Sequence, residues 1–502
     1  MSRTDWLALL LAILTFLGAA WITDQVFEGL PHLEDEMAYV WQAQAIEGGK
    51  LLLPTPPCPR CFLQPFVVDY GGMRTGKYPP GWPTLLAVAL RLGLQDRINP
   101  LLAGLAIWLV YRLGKKITDE RTGILAAFLT ATSPLFLMNS GALLSHPWTL
   151  VLSATVALGW LDSFVIPNKL PRAVPLTAAA LALGALALTR PLTAVGVALP
   201  FIIHALVLFI RGPREVRWRL VGFAALAGSL AGLHFLWQAA VTGNPLTNPY
   251  TLWWPYDQIG FGPDVGLQEG GYQPIHAWYT TSYNLWVAAR DMLGWGTVSW
   301  LMLPFGLLAL RRNKNALLVG SVLPALVLTY AFYWIAAWVL GPRYYFEGLY
   351  GWTIFTAAGI RWLAGQPFAK TASQWKRWGQ KARFAAVTAL TICLIAANLI
   401  YYTPQRLGAL QGLYSVSATH LEPFRAAETK GMTPALIMVH PVDSWIEYGR
   451  LLSLSSPYLN TPFIFTVSRG PEKDAQVAAL YPDRKVYHYY ADTPWVFYEA
   501  PR

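Results

Sequence analysis

The chain has 502 residues, of which 55% are hydrophobic and 13% are charged. Because soluble globular proteins carry roughly 25% charged residues, this composition excludes an ordinary soluble domain and predicts a multi-pass membrane protein. The formal net charge is +11. In a membrane protein such basicity is typical of Lys and Arg in cytoplasmic loops, so we expect a lipid bilayer and no nucleic acid as partner.

The apolar segments predict about eleven spans, since a membrane-spanning helix needs about 20 mainly apolar residues. In chain order they are roughly 6–23, 98–113, 122–138, 144–164, 173–188, 191–210, 219–240, 296–311, 316–339, 344–363 and 383–402. The first has no small-residue cleavage site, and we interpret it as a signal anchor. A further apolar segment, 80–94, is short and contains proline, so we expect it to lie at the outer membrane interface.

The positions of basic residues predict the orientation. If 80–94 does not span, nearly every basic cluster next to a helix falls on one side, which the positive-inside rule assigns to the cytoplasm. The clusters are at Arg3, 114–121, 165–172, 211–219, 311–315 and 364–383. The N-terminus is then cytoplasmic and the C-terminus extracytoplasmic.

This orientation divides the chain into a transmembrane domain, 1–402, and an extracytoplasmic soluble domain, 403–502. Within the first, 24–97 and 241–295 become large outer loops. In the second, strands are predicted at 435–441, 462–468, 485–490 and 493–500, with a helix at 472–482. Alternating strand and helix patterns indicate a small α/β domain.

Three consecutive carboxylates, Glu34, Asp35 and Glu36, follow the first predicted span. They could form a solvated loop, or they could supply a catalytic carboxylate at the membrane surface. Asp35 and Tyr39 are one helical turn apart and therefore share a helix face. Lys77 opens the segment KYPPGWP just before the interfacial segment.

Further ionisable residues are predicted at the outer face, where membrane-edge charges often mark functional sites. They are His146 in LLSHPW, Arg190 in LTRPLT, Arg343 in GPRYYFEGLY, and Asp257 and His276 in the second loop. Three of the basic residues also have a plain structural interpretation: Lys77 and Arg343 as headgroup anchors, and His146 as a helix cap. Arg190 is less easily explained in this way, because an anchor rarely needs a proline beside it.

Together these residues favour transfer of a group from a membrane-embedded lipid phosphate. A carboxylate can act as a general base toward an acceptor hydroxyl, and cations can hold a phosphate leaving group. A transporter would instead place carboxylates deep within its spans. The predicted spans are nearly free of acidic residues, apart from Asp162 close to the inner end of the fourth span, and this argues against transport. The alternatives are a transporter or flippase of lipid-linked sugars, and a phosphotransferase acting on lipid headgroups.

Three motifs in order resemble those of the C-type, membrane-integral glycosyltransferases, among them the protein O-mannosyltransferases and the aminoarabinose transferases of lipid A. DEMAY at 35–39 resembles a D-E-x-x-Y signature, KYPPGWP at 77–83 a K-P-P segment, and GPRY at 341–344 a late-loop motif with an arginine. The resemblance covers residues 1 to about 365 in order and spacing.

The resemblance implies an inverting enzyme of the bacterial inner membrane that uses a polyprenyl-phosphate-linked sugar donor and an extracytoplasmic hydroxyl acceptor. It implies Asp35 as the catalytic base and Glu36 as its support or as a ligand of a divalent cation. Lys77 and Arg343 would bind the donor phosphate, and position alone adds Arg190 to them. The predicted substrate-binding residues are Tyr39, His146 and Tyr344.

The sequence departs from the family pattern where the third and fourth spans meet. Many relatives have a second acidic residue there, whereas NSGALLSHPW has Ser145 and His146 instead. The sequence therefore does not favour a metal held by two carboxylates, and metal dependence stays open. His146 could be a ligand, an acceptor-binding group or a second base. In the first outer loop, Cys58 and Cys61 could form a disulfide, remain free thiols or contribute to a metal site.

Overall fold

The computed structural model describes residues 2–166, 173–337, 339–366 and 377–502. Parts of the predicted cytoplasmic clusters at 165–172 and 364–383 thus lie outside the described residues.

Most of the described chain is helical. The helices are α1 (Arg3–Gln25), α2 (Glu34–Glu47), α3 (Gly81–Arg91), α4 (Ile98–Ile117), α5 (Glu120–Ala131), α6 (Pro134–Gly141), α7 (His146–Trp160), α8 (Ala173–Thr189), α9 (Pro191–Arg211), α10 (Arg214–Thr242), α11 (Tyr250–Trp253), α12 (Pro274–Asp291), α13 (Leu303–Leu310), α14 (Lys314–Gly320), α15 (Val322–Tyr330), α16 (Leu349–Leu363), α17 (Arg377–Ala397), α18 (Thr403–Gly408), α19 (Glu422–Arg425), α20 (Ala427–Lys430), α21 (Ile446–Gly449) and α22 (Pro471–Ala479).

Two small sheets complete the fold. Their strands are β1 (Leu53–Pro54), β2 (Val67–Tyr70), β3 (Met73–Gly76), β4 (Ala435–Val439), β5 (Phe463–Val467), β6 (Lys485–Tyr489) and β7 (Phe497–Tyr498). The first sheet has the order β1-β3-β2 and the second the order β5-β4-β6-β7. The strands and the helix predicted for the tail are therefore confirmed.

Within the described residues, five helical stretches are long and apolar enough to cross a membrane: Arg3–Gln25, His146–Val165, Pro191–Arg211, Arg214–Thr242 and Gly379–Arg425. There are seven if each of two bent pairs counts as one span, namely Glu120–Ala131 with Pro134–Gly141 and Pro274–Asp291 with Gly296–Leu310. Two shorter apolar helical stretches, Ala173–Thr189 and Lys314–Tyr330, accompany them. The fold is polytopic and helical, and the count of eleven spans stays a prediction.

The bent pairs show where local chemistry interrupts a predicted segment. Within the predicted span 122–138, α5 and α6 meet at an angle of 59°. Pro134 lacks the N–H that would continue the helix, and the Ser133 hydroxyl instead caps α6 by accepting from Phe136 N at 3.3 Å. The predicted loop 241–295 likewise contains α12, an 18-residue helix.

The chain divides into two compact units. The helical unit comprises Met1–Ile22, Arg97–Leu236 and Pro255–Gly408. Small residues let its helices approach closely, as is common among membrane helices. A Cβ atom at Gly114 of α4 would lie 2.6 Å from the Cα of Gly123 in α5, so neither position has room for a side chain.

The loop–tail unit comprises Thr23–Asp96, Trp237–Trp254 and Ala409–Arg502. In its larger sheet, β4 pairs in parallel with both β5 and β6, and β7 joins β6 antiparallel. Every residue of β4 and β5 is buried, which is typical of parallel strands covered on both faces.

Residues of the first predicted outer loop complete the core around this sheet. Leu30 and Met37 belong to the cluster on one side of β4, and Phe62 belongs to the cluster on the other side. The structure also joins Cys58 and Cys61 in a disulfide, with 5.3 Å between their Cα atoms. The tail therefore shares its hydrophobic core with the loop between the first and second predicted spans.

Candidate active site

The acidic cluster forms the first turn of α2, where carboxylates favour the positive end of the helix dipole. The side chain of Glu36 turns back, and its Oε2 accepts from His32 N at 2.8 Å and from Leu33 N at 2.9 Å. Glu36 is only 1% exposed. Its carboxylate therefore helps to cap the N-terminus of α2. The predicted role of Glu36 in supporting catalysis stays a prediction.

Asp35 is half-buried and accepts a hydrogen bond from a tyrosine that is distant in sequence. The hydroxyl of Tyr78 donates to Asp35 Oδ1 at 2.6 Å. The ring of Tyr39 lies 4.6 Å from the ring of Tyr78, measured between centroids. Asp35 and Tyr39, predicted to share one helix face, thus both contact Tyr78.

Lys77 places its ammonium group among aromatic rings. Nζ lies 3.8 Å from the ring centroid of Phe66, 4.7 Å from Trp254, 4.9 Å from Tyr250 and 5.5 Å from Tyr78. Lys77 is 3% exposed. Cation–π attraction, worth about 2 kcal/mol or more when desolvated, offsets part of the cost of burying this charge.

The conformation of Phe66 supports this arrangement. Its φ of +55° is in the left-handed region, which bulky side chains rarely adopt and which costs of order 1–3 kcal/mol. The ring of Phe66 also makes edge contacts with Trp253 and Trp254, at 5.6 and 5.3 Å between centroids. The residue with the strained backbone is therefore one of the aromatic residues that surround the Lys77 ammonium group.

Two pKa shifts describe the electrostatics near Asp35. Burial and the adjacent Asp35 carboxylate raise the pKa of Glu34, and Lys77 partly opposes the shift. Burial raises the pKa of Tyr78 well above its ordinary value of 10.0, and Asp35 adds to the increase. Tyr78 therefore stays protonated at neutral pH and serves Asp35 as a hydrogen-bond donor.

A second polar group lies in the helical unit, around Arg190 at the start of α9. Its guanidinium lies 2.8 Å from His146 Nε2 and donates to Thr193 Oγ1 at 3.1 Å and to Tyr330 Oη at 3.1 Å. Thr193 and Tyr330 are themselves hydrogen-bonded at 2.6 Å. Arg190 and His146, 44 positions apart in sequence, are thus brought together as predicted residues of one site.

Glu347 belongs to the same group. It is fully buried, and its Oε1 accepts from Thr149 Oγ1 at 2.6 Å and lies 3.8 Å from Arg190 Nε. Sequence reasoning missed Glu347, although it falls inside the predicted span 344–363. The expectation that Asp162 is the notable carboxylate within the spans is therefore corrected. The signal was available, because a carboxylate inside an apolar segment is itself a functional hypothesis.

Arg343 and Tyr344 complete this second group. The guanidinium carbons of Arg190 and Arg343 lie 5.8 and 5.9 Å from the ring centroid of Tyr344. The Tyr344 ring stacks on Tyr330 with 4.5 Å between centroids. Two cations therefore share one tyrosine ring, an arrangement that can hold an anionic group by charge and hydrogen bonds.

The structure thus gathers the predicted residues in two groups, each within its own unit. Asp35, Tyr39 and Lys77 meet in the loop–tail unit, and His146, Arg190, Arg343 and Tyr344 meet in the helical unit. Two other predicted residues have local roles. Asp257 accepts from Tyr333 Oη at 3.0 Å, and His276 Nδ1 accepts from Gln273 N at 3.1 Å at the start of α12.

The described part of the chain contains no group of three or more His, Cys, Asp or Glu residues that could hold a metal ion. In the acidic cluster, Glu36 Oε2 already accepts from two backbone N–H groups, so this oxygen has no lone pair left for a metal.

The fold has counterparts among solved structures. ArnT from Cupriavidus metallidurans bound to undecaprenyl phosphate is similar with a TM-score of 0.56 and 14% identity, covering 98% of this chain and 91% of that one. The apo state of ArnT gives a TM-score of 0.59, 14% identity and coverage of 97% and 90%. The archaeal oligosaccharyltransferase AglB from Archaeoglobus fulgidus, in complex with an inhibitory peptide and a dolichol-phosphate, gives 0.52 at 11% identity, covering 97% and 70%.

These proteins are C-type glycosyltransferases, and this chain has the C-type glycosyltransferase fold. No protein-family model and no curated protein sequence matches the chain.

Proposed function

We propose that the protein is a membrane-integral, inverting glycosyltransferase that moves a sugar from a polyprenyl-phosphate donor to a hydroxyl acceptor at the extracytoplasmic face. The observation that carries the proposal is the pairing of a carboxylate and a cation around Tyr78. Asp35 accepts from the Tyr78 hydroxyl at 2.6 Å, and the Lys77 ammonium lies 5.5 Å from the Tyr78 ring centroid. The fold adds support, since ArnT and AglB were solved with polyprenyl-type phosphates.

In the proposed reaction, Asp35 removes the proton of the acceptor hydroxyl while the acceptor oxygen attacks the anomeric carbon of the donor sugar. The bond between that carbon and the phosphate oxygen breaks, and polyprenyl phosphate leaves with the bonding electrons. Lys77 stabilises the phosphate charge that develops on the leaving group. Tyr39, one turn from Asp35 on α2, is proposed to contact the substrate.

The arginine group of the helical unit is proposed to bind anionic phosphate. Arg190 and Arg343 supply the charge, and guanidinium groups suit phosphate because their N–H groups can bond two oxygens at once. His146 and Tyr344 are the proposed substrate contacts within this group. Glu347 holds Arg190 from the buried side, since its Oε1 lies 3.8 Å from Arg190 Nε.

The direct test incubates purified protein with polyprenyl-phosphate sugars and measures the release of polyprenyl phosphate. We expect release that depends on a hydroxyl acceptor. Purified protein that releases none with any donor and acceptor pair, yet moves lipid-linked sugars across liposome membranes, would instead establish the transporter. That second candidate is favoured by one observation, the buried carboxylate of Glu347 within a predicted span.

The proposed orientation has an independent test. Single cysteines would be introduced at sites in 84–90 and 405–415 of a cysteine-free variant, and intact cells or sealed vesicles would be labelled with a membrane-impermeant reagent. The proposal expects labelling from the extracytoplasmic side at both ranges. Labelling of 405–415 from the cytoplasmic side alone would overturn the proposed topology.

A further inference from the structure

We propose that Tyr78 is a positioning residue for Asp35: its hydroxyl holds the carboxylate in the orientation in which it accepts the proton of the acceptor hydroxyl. The inference rests on the proposed function, in which Asp35 is the general base. It assigns a role to the residue between Lys77 and the two prolines of KYPP. The hydrogen bond of 2.6 Å from Tyr78 Oη to Asp35 Oδ1 is the contact that supports it.

The backbone of Tyr78 is fixed on two sides. Its carbonyl oxygen accepts from Gln42 Nε2 at 2.9 Å, and Gln42 is fully buried in α2. The following residue, Pro79, restricts the backbone of Tyr78 to extended conformations. Gln42 and Asp35 belong to the same helix. For that reason α2 determines the position of the Asp35 carboxylate and also that of Tyr78, its hydrogen-bond donor.

The ring of Tyr78 is fixed as well. It lies 4.6 Å from the ring of Tyr39, 5.4 Å from Tyr250 and 5.9 Å from Phe66, measured between centroids. The last two contacts are nearly perpendicular, at 88° and 87°. Tyr78 is 5% exposed. A hydroxyl on a ring held in this way cannot follow a moving carboxylate, so it restricts the carboxylate instead.

The chemical consequence is specific. A hydrogen bond from a neutral donor to a carboxylate favours its charged form, which is the form that a general base needs. Without the hydroxyl, the base would lose a donor that orients it and favours its charged form. If Tyr78 had a purely structural role, replacing it would change the stability of the protein but would not change the pH dependence of the reaction.

The test compares Tyr78→Phe with wild type in the polyprenyl-phosphate release assay across pH. Hydrogen bonds to charged groups are worth about 1.5–3 kcal/mol. Taking the lower figure, we expect the acidic limb of the kcat/KM profile to move up by about one pH unit. We also expect kcat to fall about 10-fold at neutral pH with little change in the KM of the donor.

Tyr458→Phe is the matched control. It also removes one tyrosine hydroxyl bonded to α2, since Tyr458 Oη donates to Ala45 O at 2.8 Å. We expect it to leave the pH profile unchanged. An unchanged profile in Tyr78→Phe, or an equal shift in Tyr458→Phe, would overturn the inference.

Two further arms keep the outcome decisive. If Tyr78→Phe does not accumulate, fluorinated tyrosine at position 78 supplies a stronger donor of similar shape, and the acidic limb should then move to lower pH. An inactive Asp35→Asn together with an unchanged profile in Tyr78→Phe refutes the positioning role alone. Full activity in Asp35→Asn refutes the proposed base, and the positioning role with it.

Discussion

Replacing Asp35 by asparagine tests the proposed chemistry with little change in shape. The amide oxygen of asparagine can still accept from Tyr78 Oη, which donates to Asp35 at 2.6 Å. What the variant loses is the negative charge and the capacity to take a proton. Removing a general base costs typically ~10²–10⁴-fold in rate, equivalent to about 2.7–5.4 kcal/mol in the activation barrier. We therefore expect Asp35→Asn to lose at least ~100-fold in polyprenyl phosphate release.

Glu34→Gln is the matched control for this experiment. Glu34 precedes Asp35 in the first turn of α2 and is half-buried as well, so the two variants each remove one charge from the same turn. Because Glu34 has no proposed role in proton transfer, we expect its variant to stay within about threefold of the wild-type rate, equivalent to about 0.7 kcal/mol in the activation barrier. Thermal unfolding of all three proteins would show that the fold is retained.

Two results would refute the reasoning. Activity of Asp35→Asn close to wild type would show that no proton is transferred to this side chain. An equal loss in Glu34→Gln would show that the charge of the turn, and not the Asp35 carboxylate, is what the reaction needs. Either result would mean that Asp35 is not the general base of the reaction.

Two other predictions concern the loop–tail unit. Alkylation of the denatured protein should modify neither Cys58 nor Cys61 before reduction and both of them after it, because they form a disulfide; alkylation of both without a reductant would contradict the disulfide. Burial lowers the pKa of His440 and of His488 below 6.5, and the neighbouring His488 lowers that of His440 further. The folded state therefore binds fewer protons than the unfolded one, so stability is fully present above about pH 6.5 and is lost as the pH falls. Thermal unfolding of the full-length protein between about pH 7.5 and 5.5 should show this loss, and His488→Gln should reduce it; equal slopes in both proteins would contradict the assignment.

The sequence by itself determined those features that depend on neighbouring residues. Low charge and long apolar runs established a polytopic membrane protein, because each spanning helix must satisfy its own backbone within the bilayer. Short apolar and aromatic runs, alternating with a helical pattern, located β4, β5 and β6 in the tail. The helical period placed Asp35 and Tyr39 on one face of α2, since residues four apart are neighbours on any α-helix.

Two predicted segments have more internal structure than the sequence analysis expected, and in both the cause is local. The predicted span 122–138 is bent because Pro134 interrupts the hydrogen bonds of the helix and Ser133 caps the next one. The predicted loop 241–295 contains α12, where aromatic and polar residues are mixed in PIHAWYTTSYNLWVAARD. Such a composition indicates neither a plain span nor a plain loop.

Tertiary structure alone decided which side chains meet. Tyr78 reaches Asp35 across 43 positions of sequence, and Thr149 reaches Glu347 across 198. The rings around Lys77 come from Phe66, Tyr250 and Trp254. Periodicity and propensity are local quantities, whereas these contacts depend on how distant segments pack together. For that reason the sequence could name Asp35, and only the fold could reveal the hydroxyl that holds it.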